Sequence, residues 1–180
     1  EIERIEYLEI LLKDFNAIIA GGTAYEFFKG TKIKKHLNSH PTTDIDLYFK
    51  SKLDYEEAIS FLSTIVERDN HDQNSSFTSM TTLEKSVTGL CHNFIYNGIK
   101  YQLVGCLFGI PKDIITSFDF KNLEVCYYYN ANKKSYQCMY SENAKDTVTL
   151  DIRHTRSPFL MLRIYKYLNY LGFKSISDSS

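Results

Sequence analysis

Apolar side chains at Ile2, Ile5, Leu8, Leu11 and Leu12 fall three and four residues apart, the repeat of one helix face, and predict an amphipathic helix over residues 2–15. The run from Asn16 to Ala20 is too short for a helix and stops at Gly21 and Gly22, so it is expected to be a buried strand. Thr23 then fits a helix N-cap, with Glu26 three residues on and Ala24, Phe27 and Phe28 on the apolar face. From Gly30 to Pro41 the chain is polar and basic, the mark of a loop. The segment D-I-D-L-Y-F-K at 44–50 alternates in the strand period: Asp44, Asp46 and Tyr48 share one face, and Ile45, Leu47 and Phe49 share the other. Helical spacing resumes over 53–67, followed by a polar loop at 68–82. Strand-like runs at 90–96 and 99–105 flank Asn97 and Gly98, a dipeptide suited to a two-residue hairpin turn. A short helix is predicted over 111–118, opened by Pro111, and a second hairpin over 123–129 and 135–140 with its turn at 130–134. A last helix is predicted over 158–171, closed by Gly172. The pattern implies an α/β (α+β) architecture over residues 1–174, a mixed sheet of about five strands flanked by helices. Residues 175–180 are expected to form a disordered tail.

Composition narrows the function classes. The chain has 180 residues, 43% hydrophobic and 24% charged, ordinary proportions for a folded domain. A formal net charge of −1 excludes a basic coat for non-specific nucleic-acid binding, so any such contact is local. No apolar run approaches the length of a membrane-spanning helix, and Glu1 to Arg4 lack the order of a signal peptide. Cys91, Cys106, Cys126 and Cys138 lie in apolar or strand-like runs without C-x-x-C spacing, and are expected to be buried free thiols in a reducing, cytoplasmic setting. The 14 Tyr and 12 Phe are expected mainly in the core rather than in a base-stacking platform. The histidines show no i, i+4 pairing of the zinc-protease kind, and neither a nucleophile elbow nor a G-x-x-x-x-G-K-S/T loop is present.

The candidate chemistry lies in Asp44 and Asp46. Two carboxylates at i and i+2 on a strand project from one face, where their repulsion is costly unless a cation sits between them. Magnesium, or manganese, suits such a pair because it takes oxygen ligands and completes its shell with water and phosphate. Gly21 and Gly22, just ahead of a helix, offer backbone N–H groups to a phosphate.

With A-G-G-T-A-Y at 20–25 followed by T-T-D-I-D-L at 42–47, the chain resembles the polymerase-β nucleotidyltransferase superfamily, and within it the minimal, abortive-infection and toxin-like members, including viral and phage ones. K-Y-Q-L-V-G at 100–105, S-F-D-F at 117–120 and R-I-Y-K-Y-L-N-Y-L-G-F at 163–173 extend the resemblance more weakly. It implies transfer of a nucleoside monophosphate from an NTP to a hydroxyl acceptor, with Asp44 and Asp46 as metal ligands and Gly21, Gly22 and Thr23 beside the phosphates. Arg163 and Lys166 would reach the triphosphate, although a solvated helix face accounts for both as well. The resemblance also implies a third carboxylate, but the strand expected to carry it has Gln102. Asp119 is the replacement candidate, equally readable as a turn or cap residue, and Glu124 comes second. Lys29 to Lys35 form either a rim for a polyanionic acceptor such as RNA or a plain surface loop. The acceptor is open among RNA, protein and a small molecule; no membrane is expected as a partner, and oligomeric state is undetermined. Gln102 motivates a second reading, a degenerate fold serving as a nucleotide-binding or interaction module. A structural domain whose acids merely cap or pair is the third.

Overall fold

Ile45, Leu47 and Phe49 are fully buried, whereas Asp46 and Tyr48 are only partly so, which realises the alternation read at 44–50. The computed structural model describes residues 5–31, 44–71, 81–153 and 160–178. The stretches 32–43, 72–80 and 154–159, and with them most of the basic run, Thr42 and Thr43, and the predicted start of the last helix, lie outside the described residues.

The acid-bearing strand β2 (Ile45–Phe49) sits at the middle of a mixed sheet. On one side it pairs antiparallel with β1 (Ala17–Ala20), and on the other it runs parallel to β5 (Ile99–Phe108). Seven strands in the order β3-β4-β5-β2-β1-β6-β7 form this sheet, with β3 Thr82–Lys85, β4 Cys91–Tyr96, β6 Val125–Asn130 and β7 Ser135–Tyr140. Both predicted hairpins are present. Asn97 and Gly98 take positive φ at the β4–β5 turn, as a two-residue turn requires.

The sheet is therefore wider than the five strands expected. The addition at one edge is β3, whose sequence T-L-E-K shows little burial on either face and so carries a weak strand pattern. A parallel pair, β8 (Thr149–Ile152) with β9 (Ser175–Asp178), forms apart from the main sheet, so 175–178, expected in a disordered tail, is strand. Pairing with a distant segment rather than local burial orders β9, whose residues are all exposed.

One sheet face carries the main core. Leu8, Leu11 and Leu12 of α1 (Glu6–Asp14), Ala24 and Tyr25 of α2 (Gly22–Phe28), and Ala58 and Leu62 of α3 (Lys52–His71) pack with Ile45, Leu47, Phe49, Phe94, Tyr101 and Leu103. Helix α3 runs past the predicted end at 67, through a polar last turn that lacks apolar spacing. On the opposite face Ile114 and Ile115 of α4 (Pro111–Thr116) cover Ile18, Ala20 and Cys126 in a smaller cluster. Helix α5 (Leu160–Tyr170) buries Ile164 and Tyr167.

Two local expectations are corrected. Helix α2 begins at Gly22 with Gly21 at the cap, and Thr23 is not the N-cap, because its hydroxyl donates to the Asp44 carbonyl at 3.1 Å instead. All four cysteines are free, but only Cys91 and Cys126 are buried. Cys106 lies in the irregular end of β5, where Leu47 faces Leu103 but Phe49 faces Phe108, and Cys138 lies on edge strand β7.

Candidate functional site

Gly21 takes φ +79, a conformation that L side chains rarely adopt. A Cβ at this position would come within 2.7 Å of Asp46 Oδ2, so the carboxylate lies directly over the glycine bend. The Thr23 bond to the Asp44 carbonyl ties the first turn of α2 to the entry of β2. Bend and acid pair are thus held together by β1–β2 pairing, in which Ala20 stands opposite Asp46, and by this one side-chain tether.

The two carboxylates sit in contrasting surroundings. Asp44 is approached by Lys100 Nζ at 3.4 Å. Asp46 has its carboxyl pushed up to about 7, first by burial, which penalises its charge, and further by the neighbouring Asp44. Lys166, Arg163 and Lys100 oppose that rise through their positive charge. The two acids thus lie in the field of three cations, with Lys100 in contact with Asp44 and with Lys166 and Arg163 acting on Asp46 through their charge. Oxygen-only donors such as these fit a hard cation like magnesium.

Gln102 occupies the β5 position in register with Asp46 and gives its amide N–H to Cys91 Sγ at 3.2 Å. One strand further, Asn93 faces Gln102, and its buried Oδ1 has no hydrogen-bond partner among the described residues. A row of in-register polar positions, Glu84, Asn93, Gln102 and Asp46, thereby crosses four adjacent strands on the site face.

Asp119 is held by Arg163, whose Nη1 donates to its Oδ2 at 2.7 Å. The guanidinium also lies over the Phe120 ring, 4.9 Å from its centroid, and beside the buried Tyr167. Glu124 is buried and paired with Arg153. Among the described residues no three His, Cys, Asp or Glu side chains are grouped as a metal site. Lys166 is exposed on α5 yet close enough to influence Asp46. Lys29, the described member of the basic run, binds Glu26 at 3.1 Å and the Leu171 carbonyl at 3.0 Å, and so helps pin α2 to the end of α5. Sequence reasoning had not singled out Lys100 and Asn93. Lys100 lies two residues before Gln102, so strand parity alone would have put it on the Gln102 face.

The fold has counterparts among solved structures. "tRNA-processing enzyme (apo form I)" matches with a TM-score of 0.59 at 15% identity, over 97% of this chain and 44% of that one. "Structure of tRNA-processing enzyme with CTP" matches with a TM-score of 0.57 at 14% identity, over 89% and 40%. "Crystal structure of tRNA nucleotidyltransferase complexed with a primer tRNA and an incoming ATP analog" matches with a TM-score of 0.51 at 14% identity, over 89% and 43%. At these identities the likeness is one of fold, which is nucleotidyltransferase-like, and the chain spans about two fifths of the length of those structures. A search of curated proteins gave no match. Residues 2–153 match the family model described as Gabija anti-defense 2 family protein.

Proposed function

This chain belongs to the Gabija anti-defense 2 family, and from that premise we propose that it is a metal-dependent nucleotidyltransferase moving an NMP from an NTP to a hydroxyl acceptor on RNA, protein or a small molecule. The reading rests chiefly on one observation, the placing of the Asp46 carboxylate over the Gly21 bend with Asp44 alongside. Its setting would be intracellular, and the toxin-like, phage-type character of the resemblance accords with a family described as anti-defense.

In this reading Asp44 and Asp46 hold the magnesium. Magnesium bound there supplies charge neutralisation at the reacting phosphate. Gly21, Gly22 and Thr23 seat the distal phosphates through the backbone of the turn. Arg163 and Lys166 approach the triphosphate from α5, and Lys100, beside Asp44 at 3.4 Å, offers a further positive charge to the polyanion. Asp119 fixes the Arg163 guanidinium through their 2.7 Å contact. Catalysis then comes from positioning and charge, without a covalent enzyme intermediate.

Incubation with each labelled NTP, magnesium or manganese, and RNA or protein acceptors tests the proposal. Label transfer that disappears in Asp44→Ala is the expected result. A specific observation favours a second reading: with a neutral amide at Gln102, in register with Asp46, the site binds metal and nucleotide but does not turn over. Metal-dependent NTP binding without transfer to any acceptor would select a nucleotide-binding module, and absence of metal-dependent NTP binding would remove the enzyme and favour a module that acts through protein interaction.

A further inference from the structure

Strand β7 ends the main sheet, and among the described residues no strand pairs with its outer edge. Its sequence, S-Y-Q-C-M-Y, contains no charge, no proline and no bulge, so the strand itself carries none of the devices that usually guard a sheet edge, and the nearest charges, Lys13 and Lys145, lie over the Tyr136 and Tyr140 rings. Three of its side chains are exposed on one face: Tyr136, Cys138 and Tyr140, the two tyrosines at 47% and 46%.

The hydrogen-bond phase of this edge can be derived. Ser141 N–H donates to the Glu124 carbonyl at 3.0 Å, continuing the β6–β7 register by one residue. Hydrogen-bonded pairs alternate along an antiparallel ladder, so Met139, Gln137 and Ser135 direct their backbone groups to β6. Tyr136, Cys138 and Tyr140 then direct theirs outward. These are the same three residues whose side chains share the exposed face.

We propose that β7 pairs antiparallel with β7 of a second copy, about a twofold axis through Cys138, joining the two sheets edge to edge. In this register Cys138 stands opposite Cys138 of the other copy, and Tyr136 stands opposite Tyr140. Every outward backbone group of the three residues meets a partner, and the tyrosines form two cross-strand aromatic pairs. The same symmetry brings the turn residue Lys134, just before the strand of one copy, towards Glu142, just after the strand of the other, twice. Glu142 is exposed and carries one ion pair, with Lys145, within its own chain. A parallel arrangement would set like ends together, a shift by one residue would put outward groups against inward ones, and a shift by two would keep the phase but leave one of the three outward residues of each copy without a partner. Hydrogen-bond phase, face and charge therefore select one register and one partner, a second copy of this chain. A single strand edge covers less area than a standard interface, so the dissociation constant is expected on the order of 10–1,000 μM.

Sedimentation velocity on the full chain up to about 1 mM tests the proposal, with a concentration-dependent monomer–dimer equilibrium expected. Lys134→Glu and Glu142→Lys should each weaken the dimer by about three- to tenfold, and the double exchange should restore it. In a Cys106→Ser background, a short bis-maleimide should link two chains, and Cys138→Ser should abolish the link. A chain that stays monomeric throughout, a double exchange no tighter than the single ones, or a link that survives Cys138→Ser would overturn the proposal. Circular dichroism of each variant confirms that the fold is kept.

Discussion

Asp46 and Gln102 stand side by side in register on the parallel pair β2–β5, so a neutral amide occupies the β5 position facing Asp46. Gln102→Glu would add a negative charge at that position. Metal affinity in isothermal titration, and the rate of label transfer, are expected to rise by at least about tenfold, equivalent to ~1.4 kcal/mol. An unchanged or lower affinity would mean that Gln102 is already the residue the site requires.

The raised carboxyl of Asp46 sets a pH dependence. Unfolded, Asp46 ionises near pH 4; folded, it does so near 7. Between these values the folded chain holds the proton that the unfolded chain has released, so this group makes stability fall as pH rises across that window. Asp46→Asn removes the effect. The variant should melt at the same temperature as the parent below about pH 4 and increasingly above it towards pH 7, where each ~1 kcal/mol corresponds to about 2–4 °C. Activity should be lost. Scanning calorimetry from pH 4 to 8 measures the divergence; a constant offset would assign the difference to packing.

Magnesium or manganese should raise the melting temperature more at pH 8 than at pH 6, because the cation competes with the proton on Asp46. The gain should vanish in an Asp44→Asn, Asp46→Asn double variant. An equal gain in that double variant would place the cation elsewhere.

Gly21→Ala meets two obstacles, the positive φ and the 2.7 Å approach of Asp46 Oδ2. A destabilisation of about 1–3 kcal/mol is expected, seen in urea unfolding. Metal affinity should fall with it, since Asp46 must move. Gly22→Ala, where a Cβ meets nothing within 4 Å, is the control.

Asp119→Asn separates positioning from metal binding. With Asp119 acting on the Arg163 guanidinium, KM for the NTP should rise by about three- to tenfold while kcat changes little, the effect of losing a partly exposed ion pair. A kcat loss of about a thousandfold or more would instead make Asp119 a metal ligand.

What could be read from the sequence was what local chemistry encodes. The D-I-D-L-Y-F alternation, the Gly21–Gly22 stop and the Asn97–Gly98 turn each act within a few residues, and all appear in the structure where expected. The grip of Arg163 on Asp119 spans 44 positions, and the tether from Thr23 to Asp44 spans 21; no periodicity reports either. Thr23 has the composition of an N-cap, but the nearby Asp44 carbonyl takes its hydroxyl. Cys106 and Cys138 sit in apolar runs, yet one falls in an irregular strand end and the other on a sheet edge, and a linear pattern contains neither fact.

The parallel seam between β2 and β5 bears on how the molecule assembles. The β4–β5 hairpin closes over two residues and needs no distant help, whereas β2 must wait for α3 and the following hairpin to return before its second neighbour exists. Lys100 and Gln102 therefore come beside Asp44 and Asp46 only once β5 has docked, after some fifty intervening residues have found their places.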